Sequence, residues 1–532
     1  MNLGPGALSK ATSLLYISIV SILLAGGVVL IEGRIGFNPA DEGFLWYGAE
    51  ATLAGQVPVR DFQSYFPGRY YWSSLWMHLT GPGIVSLRMS NAMFQAIGLI
   101  FGLMLASRIF SSKTCLFLFG ILLTVWMFPR HKLFESSITM MAVYFAVLTI
   151  EKPNRARLFA SGVFIGLAGF FGPNHALYVL LSFMLLIALI WFKTESIPMA
   201  GNLSALIAGI LTGFSPILTL ILFYPGLLES VIESVMSVSR NGTNIPLPVP
   251  WPWRVIPQLL TSTSLDVPQA AFQTFGSICF LAMPIFFGTT IVMTMLSGPG
   301  FWSGNSVLIA SAVVGFFYQH HAFSRADMGH LAQVMPPLAI ALISIPKAIG
   351  LDKIRTVRIN TIFFIIAGIF SGLWAHDYYH YLKSKQAGHH FQEVKMGRDI
   401  LWVISDQARL LGNMRQILED RTENVSDAFF APHWPGMYPA LNRKSPVWEI
   451  YFFHPATEKQ QRRMISDMEK SDLRVVIIGD EAVDGRDEFR FMNTHPLVWD
   501  FITRNFQEVW NAGLPPGYHL LTRKEAPRES LF

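Results

Sequence analysis

The sequence predicts a polytopic α-helical membrane protein with a small α/β module at its C-terminal end, and three observations carry that prediction. Of the 532 residues, 52% are hydrophobic and only 14% are charged, a balance that soluble domains do not reach. Mean hydropathy is +0.40, with 14 Trp, and the chain has 42 Phe, more apolar surface than a protein in water can hide. Charged residues return in force in 383–427 and 458–490, where a water-exposed module begins. This composition excludes a disordered chain, a secreted disulfide scaffold and a cytosolic enzyme. The net charge of +5 is spread along the chain, so it offers no footprint for nucleic acid and serves as topology information. Cys115 and Cys279, the two cysteines, lie inside apolar runs, which leaves no disulfide framework and no Cys-ligated metal site.

A spanning helix needs about 20 mostly apolar residues. Windows of that kind fall at roughly 12–31, 89–109, 113–128, 134–150, 158–172, 176–192, 200–224, 275–296, 305–320, 332–349 and 357–375, eleven spans in all. The first follows a single Lys10 and has no small-residue cleavage site before a hydrophilic domain, so it reads as a retained helix. Orientation follows from the short loops, because cationic loops resist translocation. Lys10, Arg108, Lys113, Lys152, Arg155, Arg157, Lys193, Lys347, Lys353, Arg355 and Arg358 fall on alternate connections, and that side is read as cytoplasmic. An odd number of spans then exports the long segments 33–88 and 225–272 together with everything after about residue 376. Residues 1–375 thus read as a transmembrane domain and 376–532 as an external α/β domain.

Within the external segments, 472–479 is a β-branched run closed by glycine and reads as a buried strand, 494–509 has helical spacing, and 517–521 reads as a final strand. The single glycine after the strand lacks the further glycines of a nucleotide fingerprint. Segment 225–272 carries Pro246, Pro248, Pro250 and Pro252 with Trp251 and Trp253. Its centre is too proline-rich for a helix, so it is expected to form an external lid, its tryptophans sitting at headgroup depth or touching sugar or prenyl chain. The adjacent Met140 and Met141 lie in a predicted span, where packing is their default role.

The first external segment is more specific. It runs Asn38-Pro-Ala-Asp-Glu-Gly-Phe-Leu-Trp-Tyr47, then Gly55-Gln-Val-Pro-Val-Arg-Asp-Phe62, then Tyr65-Phe-Pro-Gly-Arg-Tyr-Tyr71. Asp41 and Glu42 stand beside a membrane surface at the start of a helical stretch. Asp41 there can cap the helix, with Glu42 favoured by the helix dipole; equally, the pair can act on a substrate. Arg60, Asp61 and Arg69 are expected to brace the loop, Asp61 paired with an arginine.

This arrangement resembles the GT-C superfamily of integral-membrane glycosyltransferases, in particular the branch of protein O-mannosyltransferases and the lipid A aminoarabinose transferase. The resemblance covers most of the chain: an Asp-Glu pair in the first external loop, two juxtamembrane helices, many spans and an external C-terminal domain. It implies transfer of a sugar from a polyprenyl-phosphate donor to an acceptor hydroxyl on a glycan, lipid or protein, at the outer face of a bacterial inner membrane or in the endoplasmic reticulum lumen. Arg325, Asp327 and His330 match the Arg-x-Asp-x-x-His that many members carry in a late external loop.

Inverting transfer needs a carboxylate to take the acceptor's proton and cations to hold the departing phosphate. Asp41 is the expected base and Glu42 the next choice. Arg130-His131-Lys132, between the third and fourth spans, opposes the charge bias of its side, so these residues are expected on the donor phosphate, headgroup contact or snorkelling being the alternative. Arg325 and His330 are expected on the same phosphate, with Asp327 orienting either, in a loop that also holds His320 and His321. His175, in the turn Gly172-Pro-Asn-His175, is expected to reach the cavity or to cap a helix. No zinc spacing occurs and no metal residues are assigned; no cofactor is assigned, and a divalent cation is left open. The rival readings are a transporter or flippase of a lipid-linked glycan and a non-catalytic scaffold. Against the transporter, the ionisable residues cluster at one face and no two halves match.

Overall fold

The computed structural model of the chain describes residues 10–194, 199–242, 244–261, 267–386, 388, 390–510 and 513–524. The chain forms two compact units, each drawn from separated stretches: Met1–Leu30, Asn91–Pro225 and Ser237–Lys383 in one, and Ile31–Ser90, Gly226–Met236 and Ser384–Phe532 in the other.

Each of the eleven apolar windows lies on a helix. Seven of these helices are long and apolar enough to cross a membrane by length and composition: Ser13–Glu32, Ile84–Ala106, Arg130–Glu151, Pro173–Lys193, Gly201–Phe223, Val267–Leu296 and Ile354–Tyr378. The other four, Lys113–Trp126, Arg155–Phe171, Ser306–Tyr318 and Met335–Ala348, are shorter. Helix Ser306–Tyr318 shows what a short apolar run is for. It packs against helices Leu133–Glu151, Pro173–Thr194, Val267–Leu296 and Met335–Ala348, and its residues from Ser306 to Gly315 are all buried, so protein and not lipid is its solvent.

Two helices of this first unit meet backbone to backbone. Gly162 and Gly166 on one face Gly209 and Gly213 on the other; a Cβ at Gly162 would stand 2.2 Å from the Leu206 carbonyl oxygen, and one at Gly213 would stand 2.0 Å from that of Val163. Only glycine permits this approach, the small-xxx-small device of helix pairs in lipid. Elsewhere the seam is aromatic: the Trp126 and Trp374 rings stack at 5.3 Å, while Trp126 Nε1 donates to Ser371 Oγ at 2.8 Å and Trp374 Nε1 to the Val125 carbonyl at 3.0 Å. At one end of the bundle, cations expected on the cytoplasmic side converge. Arg108 pairs with Glu151, and both line a cavity with Lys347. Lys193 Nζ donates to the Met295 and Ser297 carbonyls, each at 2.6 Å.

In the segment read as a lid, helices Leu227–Asn241 and Pro252–Thr261 flank a centre, 244–251, that is not helical. The prolines impose this, since each removes a backbone donor. Of the rest of the expected lid, 243 and 262–266 lie outside the described residues, and 267–272 already belong to helix Val267–Leu296.

The second unit joins helices Asp41–Leu53 and Pro67–Thr80, which pack together, to a β-hairpin and an α/β sandwich. The hairpin pairs Phe391–Met396 with Asp399–Ile404, and Ile35 bridges to Trp402, so the first loop and the C-terminal segment share this unit. Strand Ala428–Ala431 runs parallel to Val475–Gly479, joined to it through helix Glu458–Lys470, whose Thr457 and Gln460 form a capping box. Tyr518–Arg523 lies antiparallel to Val475–Gly479 and Phe506–Glu508 closes the edge. Val475–Gly479 is buried along its whole length, as the β-branched run predicts. The helix expected over 494–509 ends at Asn505, and 506–508 turns into the edge strand because Phe506 is drawn into the core with Phe429, Phe452 and Ile502.

Candidate active site

The adjacent carboxylates of the first loop have separate fates. Helix Asp41–Leu53 starts at Asp41, with Ala40 as its N-cap residue and no side-chain cap from that position. The capping oxygen belongs to Asn38, whose Oδ1 accepts from the Ala40 and Asp41 amides at 2.9 and 3.0 Å. Of the two alternatives for Asp41, this removes the helix cap: Asn38 fills that role three residues earlier, and the Asp41 carboxylate has other partners. One of them is Tyr451, whose hydroxyl donates to Asp41 Oδ1 at 3.1 Å.

Glu42, one residue on, points the other way. It is 2% exposed, and Arg88 meets it as a two-pronged donor, Nε to Oε1 at 2.8 Å and Nη2 to Oε2 at 2.8 Å. Arg88 spends its other donors on the Gly33 and Gly36 carbonyls at 3.0 and 2.7 Å. The guanidinium therefore ties the end of the first helix, the turn behind it and the carboxylate into one buried knot. Sequence reasoning missed Arg88, although an arginine in an otherwise apolar helix is a signal of its own.

Two side chains from the C-terminal segment stand beside Asp41, and neither has a local sequence signal. Tyr451 packs at 5.6 Å from Phe44 and at 5.7 Å from His433. Burial pushes the His433 imidazole down to about 4, the charge of Asp41 opposing this only in part, so the ring is neutral at physiological pH. The approach of the two segments depends on glycine. A Cβ at Gly43 would lie 2.5 Å from Gly436 Cα, and the Gly436 amide donates to the Pro39 carbonyl at 2.9 Å.

The braces of the loop are resolved individually. Asp61 accepts from Arg60 Nε at 2.7 Å, Arg60 Nη2 at 3.0 Å and the Val57 amide at 2.7 Å. Arg69 is buried, 4% exposed, and its guanidinium lies over the Tyr65 ring at 5.0 Å.

In the first unit the expected phosphate residues form a second cluster. Arg130-His131-Lys132 make a single 3-10 turn that runs directly into helix Leu133–Glu151, so the expected loop is one tight turn. Arg130 is buried, and its carbonyl accepts from Asn91 Nδ2 at 3.3 Å. Asp327 is the hub of the late motif. It caps helix Met328–Ala332 by accepting from the His330 amide at 2.9 Å, takes His330 Nδ1 at 2.9 Å and takes Arg325 Nε at 3.0 Å. Burial alone would raise its pKa, but the bonds from His330 and the charge of Arg325 outweigh it and hold the carboxyl below the usual range. Arg325 Nη1 also donates to the Ile245 carbonyl at 3.0 Å, and Asn244 Nδ2 to Ser324 Oγ at 2.9 Å, which fastens the proline-rich segment to this motif.

His175 is fully buried, its ring 6.0 Å from Tyr318 and 5.7 Å from His321. His321 is held well below its ordinary pKa by burial and by the neighbouring His175, Lys132 and His330, against the pull of Glu135. Those couplings put His175, Lys132, Glu135 and His330 around one imidazole. Among the described residues no group of three or more His, Cys, Asp or Glu side chains is arranged to hold a metal ion.

No protein-family model matches the sequence, and no curated protein matches it. Solved structures do. ArnT from Cupriavidus metallidurans bound to undecaprenyl phosphate is similar over 98% of this chain and 99% of its own, with a TM-score of 0.50 and 11% identity. The apo ArnT of the same organism matches over 96% and 97% with a TM-score of 0.42 and 11% identity. The likeness to the first of these structures spans both units, and the chain therefore has the ArnT fold: an α-helical integral-membrane protein with a small α/β C-terminal module.

Proposed function

We propose that the protein transfers a sugar from a polyprenyl-phosphate donor to an acceptor hydroxyl, with Asp41 as the general base. The observation that carries this reading is the division of labour in the carboxylate pair: Glu42 has both oxygens engaged by Arg88, whereas Asp41 is only partly buried and oriented by a hydroxyl donor. In the reaction the acceptor oxygen attacks the anomeric carbon, its proton passes to Asp41, and the bond from that carbon to the phosphate oxygen breaks with its electron pair leaving on the phosphate. Configuration inverts. Cations stabilise the charge that develops there. Arg325, His330, Arg130, His131 and Lys132 are assigned to that phosphate, with Asp327 and His175 as positioning residues. Fold alone hosts many activities, but the ArnT structure of this fold holds undecaprenyl phosphate, a lipid of the donor class proposed.

The membrane assignment we propose is a bacterial inner membrane, N-terminus cytoplasmic and C-terminal module external. The test is donor consumption by the purified full-length protein in proteoliposomes, using radiolabelled polyprenyl-phosphate sugars and membrane-extract acceptors. Label should leave the lipid with wild type and stay on it with Asp41→Asn. Label that crosses the bilayer still attached to its lipid identifies a flippase, and no consumption of any donor overturns the transferase.

A further inference from the structure

The second unit carries a strand that is apolar on both faces, and one of those faces is open. Leu401 and Val403 of hairpin strand Asp399–Ile404 are fully buried, and helix Ser405–Arg421 packs on both strands of the hairpin. The opposite face of the same strand presents Ile400, Trp402 and Ile404, each nearly half exposed. An antiparallel sheet with one face in water alternates apolar-in with polar-out. Three large apolar side chains in a row on the open face therefore call for an occupant.

The attachments of the hairpin identify that occupant. The first spanning helix ends at Glu32, and the chain turns at once, the Ile35 amide donating to the Glu32 carbonyl at 3.1 Å. The outer edge of strand Asp399–Ile404 is fastened to this turn: the Trp402 amide donates to the Arg34 carbonyl at 2.8 Å, and the Gly36 amide to the Trp402 carbonyl at 2.7 Å. At the start of the strand, Asp399 Oδ2 accepts from the Val85 amide at 3.0 Å, in the first turn of spanning helix Ile84–Ala106. The strand is thus tied at Trp402 to the end of one span and at Asp399 to the start of the next. Residues 31–32 and 84–90, which form those helix ends, belong to the same unit as the hairpin. Arg34 is two residues past the first span, at most about 7 Å of chain, and neighbouring strands lie about 5 Å apart. Trp402 therefore stays close to the polar layer that flanks the hydrocarbon, roughly 5–8 Å thick on each side.

From these two attachments we infer that the hairpin is a membrane-contact surface of the C-terminal module: Ile400, Trp402 and Ile404 rest among the lipid headgroups at the face where the two spans end. The inference does not depend on the transferase reading and holds for any activity of the chain.

The two strands differ as depth requires. Residues opposite each other across a hairpin share a face, which sets Glu393 beside Trp402 and Lys395 beside Ile400, and both charged side chains are exposed. The edge that meets Arg34 and Gly36 belongs to Asp399–Ile404, so Phe391–Met396 stands one strand spacing farther from the end of the first span. On this one face the nearer strand is apolar and the farther one carries the charges, the order met on passing from acyl chains to water. Tryptophan favours the layer between because its ring is amphipathic, and the apolar stem of Lys395 lets its ammonium reach headgroup phosphates. A peptide adding itself as a strand finds the centre of this edge closed, since both backbone groups of Trp402 are already paired.

Spin labelling of the full-length protein in nanodiscs of phosphatidylcholine and phosphatidylglycerol tests the inference. Nitroxides are placed on Ile400→Cys, on Ile404→Cys and, for comparison, on Glu393→Cys, each in a background lacking Cys115 and Cys279. Collisions are read with oxygen, which concentrates in lipid, and with a nickel chelate, which stays in water. The oxygen-to-nickel ratio at the two isoleucine positions should be several times that at the Glu393 position, and headgroup depth still leaves these sites open to water-soluble thiol reagents. A ratio no higher than at the Glu393 position shows a face in water, and protection from both reagents shows a face covered by protein, whether a partner or a second copy. Either result overturns the inference. The unsubstituted protein gives a second measurement that no variant can spoil. Photoactivation of a phosphatidylcholine with a diazirine next to its headgroup should attach lipid to the peptide that contains residues 400–404, and adducts on the spanning helices with none on that peptide overturn the inference as well.

Discussion

The two units hold their ionisable groups by different means. In the first, Asp327 organises Arg325 and His330, partners two and three residues away, and the whole device is written in one short stretch of chain. In the second, Glu42 is secured by Arg88, 46 residues on, and Asp41 by Tyr451, 410 residues on. A local device survives as a spacing that can be read; a distant one exists only after folding. The difference also separates the consequences of mutation, because a buried long-range pair holds segments together, whereas a half-exposed local one tunes a single loop.

The largest effect is expected at the side chain to which the chemistry is assigned. Asp41→Asn keeps an oxygen for the Tyr451 hydroxyl and leaves the Asn38 cap untouched, so folding should persist while transfer falls by roughly 10²–10⁴-fold. Wild-type rates in this variant would remove the base and with it the contrast between the two carboxylates. Glu42→Gln should do the reverse. It strands the Arg88 charge in a buried site and should lower stability by about 3–5 kcal/mol, read as a fall in the melting midpoint, with much of that loss recovered when Arg88→Met is added. If the double variant is no more stable than the single ones, the pair is not the knot described.

A pH scan sharpens the comparison within the second unit. An imidazole in the unfolded chain titrates near 6.5, roughly, whereas His433 in the fold takes its proton only at about 4. The unfolded state therefore binds the proton first as pH falls, so the stability of the neutral buried ring is complete above pH ~6.5 and drains away towards ~4. His433→Gln should flatten that loss, by up to about 3 kcal/mol at the acid end. An acid limb identical in wild type and variant would show that His433 does not titrate as a buried group.

Smaller effects belong to the first unit. Neutral replacement of Arg130, Lys132 or Arg325 should weaken donor binding by about 1.5–3 kcal/mol each, the range of a charge-assisted contact; unchanged affinity in all three would return them to headgroup contact. Asp327→Asn should weaken it less, because it disturbs Arg325 and His330 without removing either. No change in stability is expected from Ile400→Cys, Asp480→Cys or Arg155→Cys in a background lacking Cys115 and Cys279. In intact spheroplasts the first two should react with an impermeant thiol reagent and the third should not, and the opposite pattern inverts the orientation.

Much of the bundle was legible because lipid imposes a single rule. A segment surrounded by hydrocarbon must satisfy its own backbone hydrogen bonds and show apolar side chains, so each of the eleven windows could be read from composition. Which of them face lipid could not, since Ser306–Tyr318 is as apolar as its neighbours and yet is encased by them. The pattern Gly162-x-x-x-Gly166 and its counterpart Gly209-x-x-x-Gly213 stand plainly in the chain, but that these two helices meet face to face is decided by the bundle.

The site divides along the same line. The sequence by itself determined that an Asp-Glu pair opens a helix in the first loop, that cations gather in Arg130-His131-Lys132 and in the Arg325–His330 motif, and that a buried β-branched strand runs through the chain's last module. Only the tertiary structure decided which carboxylate is engaged by Arg88, that Asn38 and not Asp41 caps the helix, and that His433 and Tyr451 stand beside Asp41. The physical reason is range. Periodicity, capping and charge spacing act over a few residues and leave a record in order along the chain, whereas the pairing of Asp41 with Tyr451 depends on two glycines, Gly43 and Gly436, letting distant backbones touch.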